Sequence, residues 1–300
     1  MNSKLIFAAA LLAASPLALH AQAPRLAAPA SPSTPAAPAV TLRYKFAVGQ
    51  VHRYQYDMAM EMLMQTGQTG AGLPIDMTTK MTMRQTVKSI RPADGVATIV
   101  TQIESMHMLN KGQEVPMPEA QSAKIKQPFT EVMLPTGKIL SMDIPSMSGV
   151  GGSGMDFSKG MFNSMAALPD GPVKVGDTWS GSSAAAMLGL DITGTATLAG
   201  IDQANGDTLA AIQGKQSGTM DKTMTQGPVP MKMNGPITGQ TFQVFDTTTG
   251  TLQSSKGTTS ADITMTFPPS ADGTTPPGMP AAMKMQMQMK FVMQRLSDTP

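Results

Sequence analysis

The sequence contains no cysteine and very little histidine, which excludes several kinds of functional site. Its 300 residues include no Cys, three His and one Trp. Without cysteine there can be no disulfides, thiolate zinc sites, iron–sulfur clusters or cysteine nucleophiles. With only three histidines, a nucleophilic triad or a histidine general base is not favoured. We therefore expect a protein that is not an enzyme and that carries no cofactor.

Charge and long apolar runs are also scarce. Charged residues make up 14% of the chain and the formal net charge is +2, with the lysines and arginines scattered. This pattern argues against nucleic-acid binding and against an electrostatically driven membrane-surface binder. Beyond the N-terminal leader, no run approaches the roughly 18 apolar residues of a membrane-spanning helix. We expect a protein without a transmembrane segment.

The N-terminus has the pattern of an export signal over residues 1–21. Lys4 supplies the charged start, an apolar stretch follows, and small residues stand at Ala21 and Ala23. Cleavage after Ala23 would leave Pro24 next to the cut bond, so cleavage after Ala21 is favoured. The mature protein is expected to be exported and soluble, in the periplasm or secreted.

Composition then divides the rest of the chain into a linker and one β-rich domain. Residues 22–40 are mostly Pro, Ala, Ser and Thr, which predicts an extended linker. Residues 41–298 form the predicted domain, which is long enough to bury a core. Similar signals recur in the same order in residues 41–150 and 170–298, which indicates two related β units. The matched positions are Gly49 with Gly176, Gly95 with Gly206, and Gly137 with Gly250.

The domain has an excess of methionine, and many of the methionines alternate with other residues. The chain holds 29 Met, and the period of two is that of a β-strand with one dry face. Two rows are the clearest: Met58, Met60, Met62 and Met64, and Met283, Met285, Met287 and Met289.

Turn signals and the shortage of helical periodicity complete the fold prediction. Asp94-Gly95 and Asn205-Gly206 are typical of antiparallel hairpins. Helical spacing occurs over residues 155–168, and a shorter helical turn is predicted near residues 119–126. We predict an all-β-dominated fold with one or two short helices, an antiparallel curved sheet or half-barrel.

A proline- and glycine-containing segment gives the chain a family resemblance. The stretch Leu168-Pro169-Asp170-Gly171-Pro172-Val173-Lys174-Val175-Gly176-Asp177-Thr178-Trp179 resembles the Leu-Pro-x-x-Pro-Val-x-x-Gly-Asp-x-Trp segment of an uncharacterised family of exported bacterial β-rich proteins with methionine-rich strands. The resemblance implies an exported β protein and no reaction. The pattern is also similar, at the level of fold, to half-barrel carriers of lipids and lipoproteins in the periplasm.

The methionine rows allow three interpretations. They can be pliable core filler, or the flexible lining of a hydrophobic site for a lipid, a lipoprotein or an envelope protein. The leading hypothesis takes the second, with the eight methionines of the two rows as ligand-binding residues. The alternative is a Cu(I)-binding or oxidation-buffering protein, with Met283, Met285 and Met287 as soft thioether ligands.

A glycine-rich motif at residues 149–154 spells G-x-G-x-x-G. A dinucleotide site would need a preceding parallel strand and a βαβ unit, whereas the surrounding sequence has antiparallel signals. We interpret the motif as a flexible glycine linker.

Overall fold

The computed structural model describes residues 39–66, 72–143, 167–182, 193–204, 206–226, 229–267 and 282–297. The predicted leader, nearly all of the linker, the G-x-G-x-x-G motif and all but the last two residues of the helix predicted over 155–168 lie outside these ranges.

The described chain is built almost entirely of β-strands. The elements are β1 (Val51–Thr66), β2 (Leu73–Ile90), β3 (Ala97–Asn110), β4 (Gln113–Glu114), α1 (Glu119–Ile125), β5 (Phe129–Met133), β6 (Ile139–Asp143), β7 (Thr178–Ser182), β8 (Thr193–Ala204), β9 (Asp207–Gln226), β10 (Val229–Asp246), β11 (Thr251–Thr266) and β12 (Ala282–Arg295). Helix α1 matches the short helix predicted near residues 119–126.

All of these strands belong to one antiparallel sheet. The sheet has 12 strands in the order β6-β5-β3-β2-β1-β12-β11-β10-β9-β8-β7, with β4 paired to β3 beside this path. Strands β6 and β7 are its two edges, so the sheet is not closed. The prediction of an all-β-dominated fold with a single curved antiparallel sheet is confirmed.

Burial along the strands follows the period of two that the sequence predicted. In β12, residues 285, 287, 289, 291 and 293 are buried and the intervening residues are exposed. Strand β11 has the same alternation over most of its length. We call the face with the buried side chains the inner face, and the opposite face the outer face.

Glycines on the inner face occur where neighbouring strands approach closely. A Cβ at Gly235 would lie 1.9 Å from the carbonyl oxygen of Asp262, and one at Gly257 would lie 2.6 Å from a ring carbon of Phe291. A side chain at either position would collide with a neighbouring strand. Glycine at defined positions is one of the features that allow a sheet to curve.

The turns have the features expected of two related units. All six glycines of the three matched pairs have positive φ values, from 67° to 95°. Gly49 and Gly176 also make equivalent bonds, since their N–H groups donate to the carbonyls of Val87 on β2 and Leu198 on β8. These agreements support the two-unit interpretation, which stays a prediction.

The two hairpin signals, Asp94-Gly95 and Asn205-Gly206, lie in connections of different length. Asp94-Gly95 lies within a six-residue connection between β2, which ends at Ile90, and β3, which begins at Ala97. The N–H of Gly95 donates to the carbonyl of Arg91, which makes a wider turn than a two-residue hairpin. Strand β8 ends at Ala204 and β9 begins at Asp207, on either side of the Asn205-Gly206 signal, of which Asn205 lies outside the described residues.

Two hydrophobic clusters divide the buried side chains along the strands. The larger contains the three tyrosines, Trp179 and residues from most strands. It includes Leu42 and Tyr44, which belong to the segment before β1. The backbone of this segment is hydrogen-bonded to two turns, because the N–H of Tyr44 donates to the carbonyl of Pro135 and the N–H of Lys45 donates to the carbonyl of Gly250. The smaller cluster lies at the opposite ends of the long strands and contains six of the eight methionines of the two predicted rows.

Candidate functional site

The two predicted methionine rows lie on neighbouring strands. Strand β1 pairs with β12 in a register that puts Met60 opposite Met289, Met62 opposite Met287, and Met64 opposite Met285. Directly opposite side chains point to the same face, with Cβ atoms roughly 5 Å apart. Sequence patterns predicted each row separately, and the register joins them into one surface.

The eight methionines differ in exposure. Met60, Met285, Met287 and Met289 are buried, at 4 to 8% exposure. The other four, Met58, Met62, Met64 and Met283, are half-buried. The surface therefore consists of a buried centre on β12 and more accessible side chains on β1 and at the start of β12.

Six of these methionines belong to a larger patch, which we call the methionine cluster. Six of its nine buried members and all five of its half-buried members are methionine. Its buried members are Met60, Met220, Met233, Ile237, Ala261, Ile263, Met265, Met285 and Met287, and its half-buried members are Met62, Met64, Met77, Met231 and Met283. Met58 and Met289 instead pack with the larger hydrophobic cluster.

Five methionines of the methionine cluster were missing from the predicted site: Met77, Met220, Met231, Met233 and Met265. Met77, Met233 and Met265 stand in strands with period-two patterns, and Met220 stands in β9. The runs of alternating methionine around these residues are shorter than the two rows that were predicted as the site. Strand order brings them together, since β12 is followed in the sheet by β11, β10 and β9 on one side and by β1 and β2 on the other.

The copper alternative named three methionines of β12. Met283, Met285 and Met287 all lie on the inner face, as the alternation predicted. Closer sulfur neighbours are available across the strands, because Met265 of β11 lies opposite Met283 and Met233 of β10 lies opposite Met265. Within the described ranges, no three His, Cys, Asp or Glu side chains converge as a metal site.

His107 lies apart from the inner-face methionines. It is exposed and opposite Lys80, while its neighbours Met106 and Met108 lie opposite Met81 and Thr79. The Nδ1 atom of His107 is 2.9 Å from a carboxylate oxygen of Glu114.

A buried polar group lies within the larger hydrophobic cluster, around Glu131 of β5. Its carboxyl is 1% exposed and accepts hydrogen bonds from Gln85 Nε2 at 2.8 Å and Thr101 Oγ1 at 2.9 Å. Burial raises the pKa of Glu131 to about 7, although the two hydrogen bonds act in the opposite direction. Burial also raises the pKa of Tyr44, with smaller contributions from Tyr54 and Glu131.

This polar group has no room for a substrate. Gln85 lines a cavity of about 20 Å³ together with His52, Tyr44 and Tyr54. That volume is close to what one water molecule needs. The cavity is lined by His52 and by Gln85, which donates to Glu131, and it is too small for an organic molecule.

The outer face carries two shallow depressions with a different character. Their volumes are about 610 and 400 Å³, and Lys215, Gln240 and Thr258 line both. The rest of the larger depression is lined by Ser, Thr, Gln and Gly, whereas the smaller one also has the lysines Lys256 and Lys290 and the apolar residues Phe242, Phe291 and Val292. The two faces of the sheet thus differ, because the outer one is polar and the inner one is rich in thioethers.

Trp179 completes the predicted segment that begins at Leu168. It is half-buried beside the larger hydrophobic cluster, and its indole N–H donates to the carbonyl of Ala167 at 2.8 Å. This hydrogen bond and the packing of the ring attach β7 to the rest of the sheet.

Among the residues that the structure describes, no helix has the length and apolarity needed to cross a lipid bilayer.

No protein-family model matches the chain, and no curated protein matches it. Among solved structures, the chain is similar to lipovitellin, in a structure described by its lipid–protein interactions, at 10% identity and a TM-score of 0.49. That match covers 85% of this chain, which spans only 26% of the lipovitellin chain.

Two further matches are weaker. The chain aligns with DynF from the dynemicin biosynthesis pathway of Micromonospora chersina at 9% identity and a TM-score of 0.19, over 87% of this chain and 89% of that one. It aligns with a DUF1329 family protein from Desulfovibrio piger at 10% identity and a TM-score of 0.14, over 82% and 87%. At these scores the matches assign neither a family nor a function, and we base the function on this chain's own residues.

Proposed function

We propose that this protein binds a hydrophobic ligand at the methionine cluster and catalyses no reaction. The observation that carries the proposal is the register of β1 and β12, in which two rows of methionine stand side by side on the inner face. A patch in which most members are methionine is unusual for a core, where Leu, Ile, Val and Phe are the common fillers.

The chemistry of the side chain supports binding. Methionine is unbranched and polarizable, so a surface made of it can adapt to ligands of differing shape, such as acyl chains. Five methionines of the cluster are only half-buried, and these give an approach to the buried thioethers of β12. The ligand classes that suit such a surface are a lipid, the lipid part of a lipoprotein, or an apolar segment of an envelope protein.

Export remains part of the proposal. The leader over residues 1–21 and the linker over 22–40 would deliver the β-rich domain, residues 41–298, to the periplasm or the medium. A carrier of hydrophobic molecules has a use in such a compartment, since acyl chains need shielding from water on the way between membranes.

We expect no catalysis because the chain is poor in the histidine and cysteine side chains that often act as a general base or a nucleophile. Histidine is scarce, the buried Glu131 has two neutral hydrogen-bond partners, and the cavity beside Gln85 has room for about one water molecule. None of these features supplies a nucleophile with a positioned base.

Native mass spectrometry of the protein purified from its own compartment tests this function. We expect a co-purifying apolar species, and uptake of a fluorescent fatty acid by the delipidated protein. A bare mass together with no uptake of the fatty acid would refute hydrophobic ligand binding.

A further inference from the structure

We infer that Met233, Met265 and Met283 form a site for a single Cu(I) ion. These residues stand on three consecutive strands, β10, β11 and β12, and each lies directly opposite the next. This row differs from the three methionines of β12 that the sequence suggested, and it goes beyond the hydrophobic binding proposed above.

The geometry favours the cross-strand row over a row along one strand. Directly opposite residues have Cβ atoms roughly 5 Å apart, whereas residues two apart on one strand are separated by roughly 7 Å. Each thioether has three rotatable bonds, so the sulfurs of Met233 and Met283 can lean toward that of the central Met265. Three sulfurs can then meet at one point above β11.

The donor set selects the metal. Thioether sulfur is a soft, neutral ligand that suits Cu(I) and discriminates against hard cations such as Mg²⁺ and Ca²⁺. No cysteine thiolate in this chain competes with the thioethers for Cu(I), because the sequence has no cysteine. A trigonal set of three thioethers would hold the ion in its reduced state without any redox step at the protein.

The three methionines combine burial, which a Cu(I) site needs, with a route from solvent. Met233 and Met265 are 2% and 5% exposed, which keeps water from the ion. Met283 is half-buried and gives the approach. Lys222 of β9 lies opposite Met233 and is exposed, so it brings a positive charge near the row. This charge should weaken the site without blocking it, because charges at exposed positions are screened by solvent and salt.

The test is an anaerobic titration of the full chain with Cu(I) against a chromophoric chelator. The wild-type protein should bind one Cu(I), and the M233L/M265L/M283L variant should bind on the order of tenfold more weakly or worse. Leucine nearly conserves volume, so folding should survive. Unchanged affinity in this variant overturns the site.

A matched control has the same number of substitutions on the same face. Met81 lies opposite Met106, and Met293 is separated from Met81 by Tyr56. The M81L/M106L/M293L variant should therefore keep wild-type affinity. Equal weakening in both triple variants would mean nonspecific thioether binding and would overturn the proposal.

A second readout does not depend on variants. In protein labelled with 13C at the methionine methyl groups, Ag(I), a redox-inert substitute for Cu(I), should shift the signals of Met233, Met265 and Met283 and leave Met81 and Met293 in place. Shifts spread over all methionines would overturn the site. Failure of this test leaves fatty-acid uptake unaffected, so the two proposals fail separately.

Discussion

Replacing Glu131 by glutamine should change how the stability of the fold depends on pH. Glu131 of β5 is buried, and Gln85 of β2 and Thr101 of β3 both donate to the same oxygen, Oε1. Glutamine retains an oxygen at that position, so the E131Q variant can keep both hydrogen bonds. It removes only the ability to ionise.

The magnitude follows from the raised pKa. The pKa of Glu131 rises from an ordinary 4.5 to about 7 in the folded protein. Between these values the unfolded chain has lost its proton and the folded chain has kept it, so stability falls as pH rises through this window. The shift of about 2.5 pKa units corresponds to roughly 3 kcal/mol. Below pH 4.5 this contribution is fully present, and above pH 7 it is lost.

Urea denaturation of both proteins between pH 4 and pH 8 measures the effect. The free energy of unfolding of E131Q, minus that of the wild type, should rise by roughly 3 kcal/mol from pH 4 to pH 8. A fixed cost of the new amide would be the same at every pH and would not alter this change. A difference that stays constant across the range would refute the buried-carboxyl reasoning.

Two further substitutions test the packing. Gly257→Ala should destabilise the sheet by about 1–3 kcal/mol, because the added methyl would lie 2.6 Å from the Phe291 ring and 2.7 Å from the Gln240 carbonyl oxygen. The control Gly171→Ala, with nothing within 4 Å of the new Cβ, should stay within about 0.5 kcal/mol of wild type in the same urea series; equal effects at both positions would contradict the close approach. Trp179→Phe removes the indole bond to Ala167 and should lower the free energy of unfolding by about 1 kcal/mol, and no loss would mean that the bond does not stabilise the β7 edge.

The sequence predicted the local structure well because strands are encoded locally. Alternation in residues 283–293 predicted which side chains of β12 are buried, and this prediction is confirmed. Glycine turn signals gave the positions of several connections. The longer turn around Asp94-Gly95 escaped prediction, because the turn length depends on where Arg91 and Gly95 bond and not on the dipeptide alone.

The arrangement of the site could not be predicted in the same way. Nothing local reveals that β12 lies between β1 and β11, because strand order is set by contacts between distant residues. This order joins Met62 with Met287 and Met265 with Met283. The buried Glu131 escaped prediction for a similar reason, since an acid in an alternating strand has the pattern of an exposed residue.

Fatty-acid binding by variants of β1 tests hydrophobic binding at the methionine cluster most directly. Met62 and Met64 are half-buried on the inner face, and Leu63 lies between them on the outer face opposite Gln286. In a fluorescence titration, M62Q/M64Q should bind a fluorescent fatty acid about tenfold more weakly or worse, because the ligand would then contact amides. The L63Q variant should bind like the wild type. Equal affinity of M62Q/M64Q and the wild type, or equal weakening in L63Q, would contradict binding at this face.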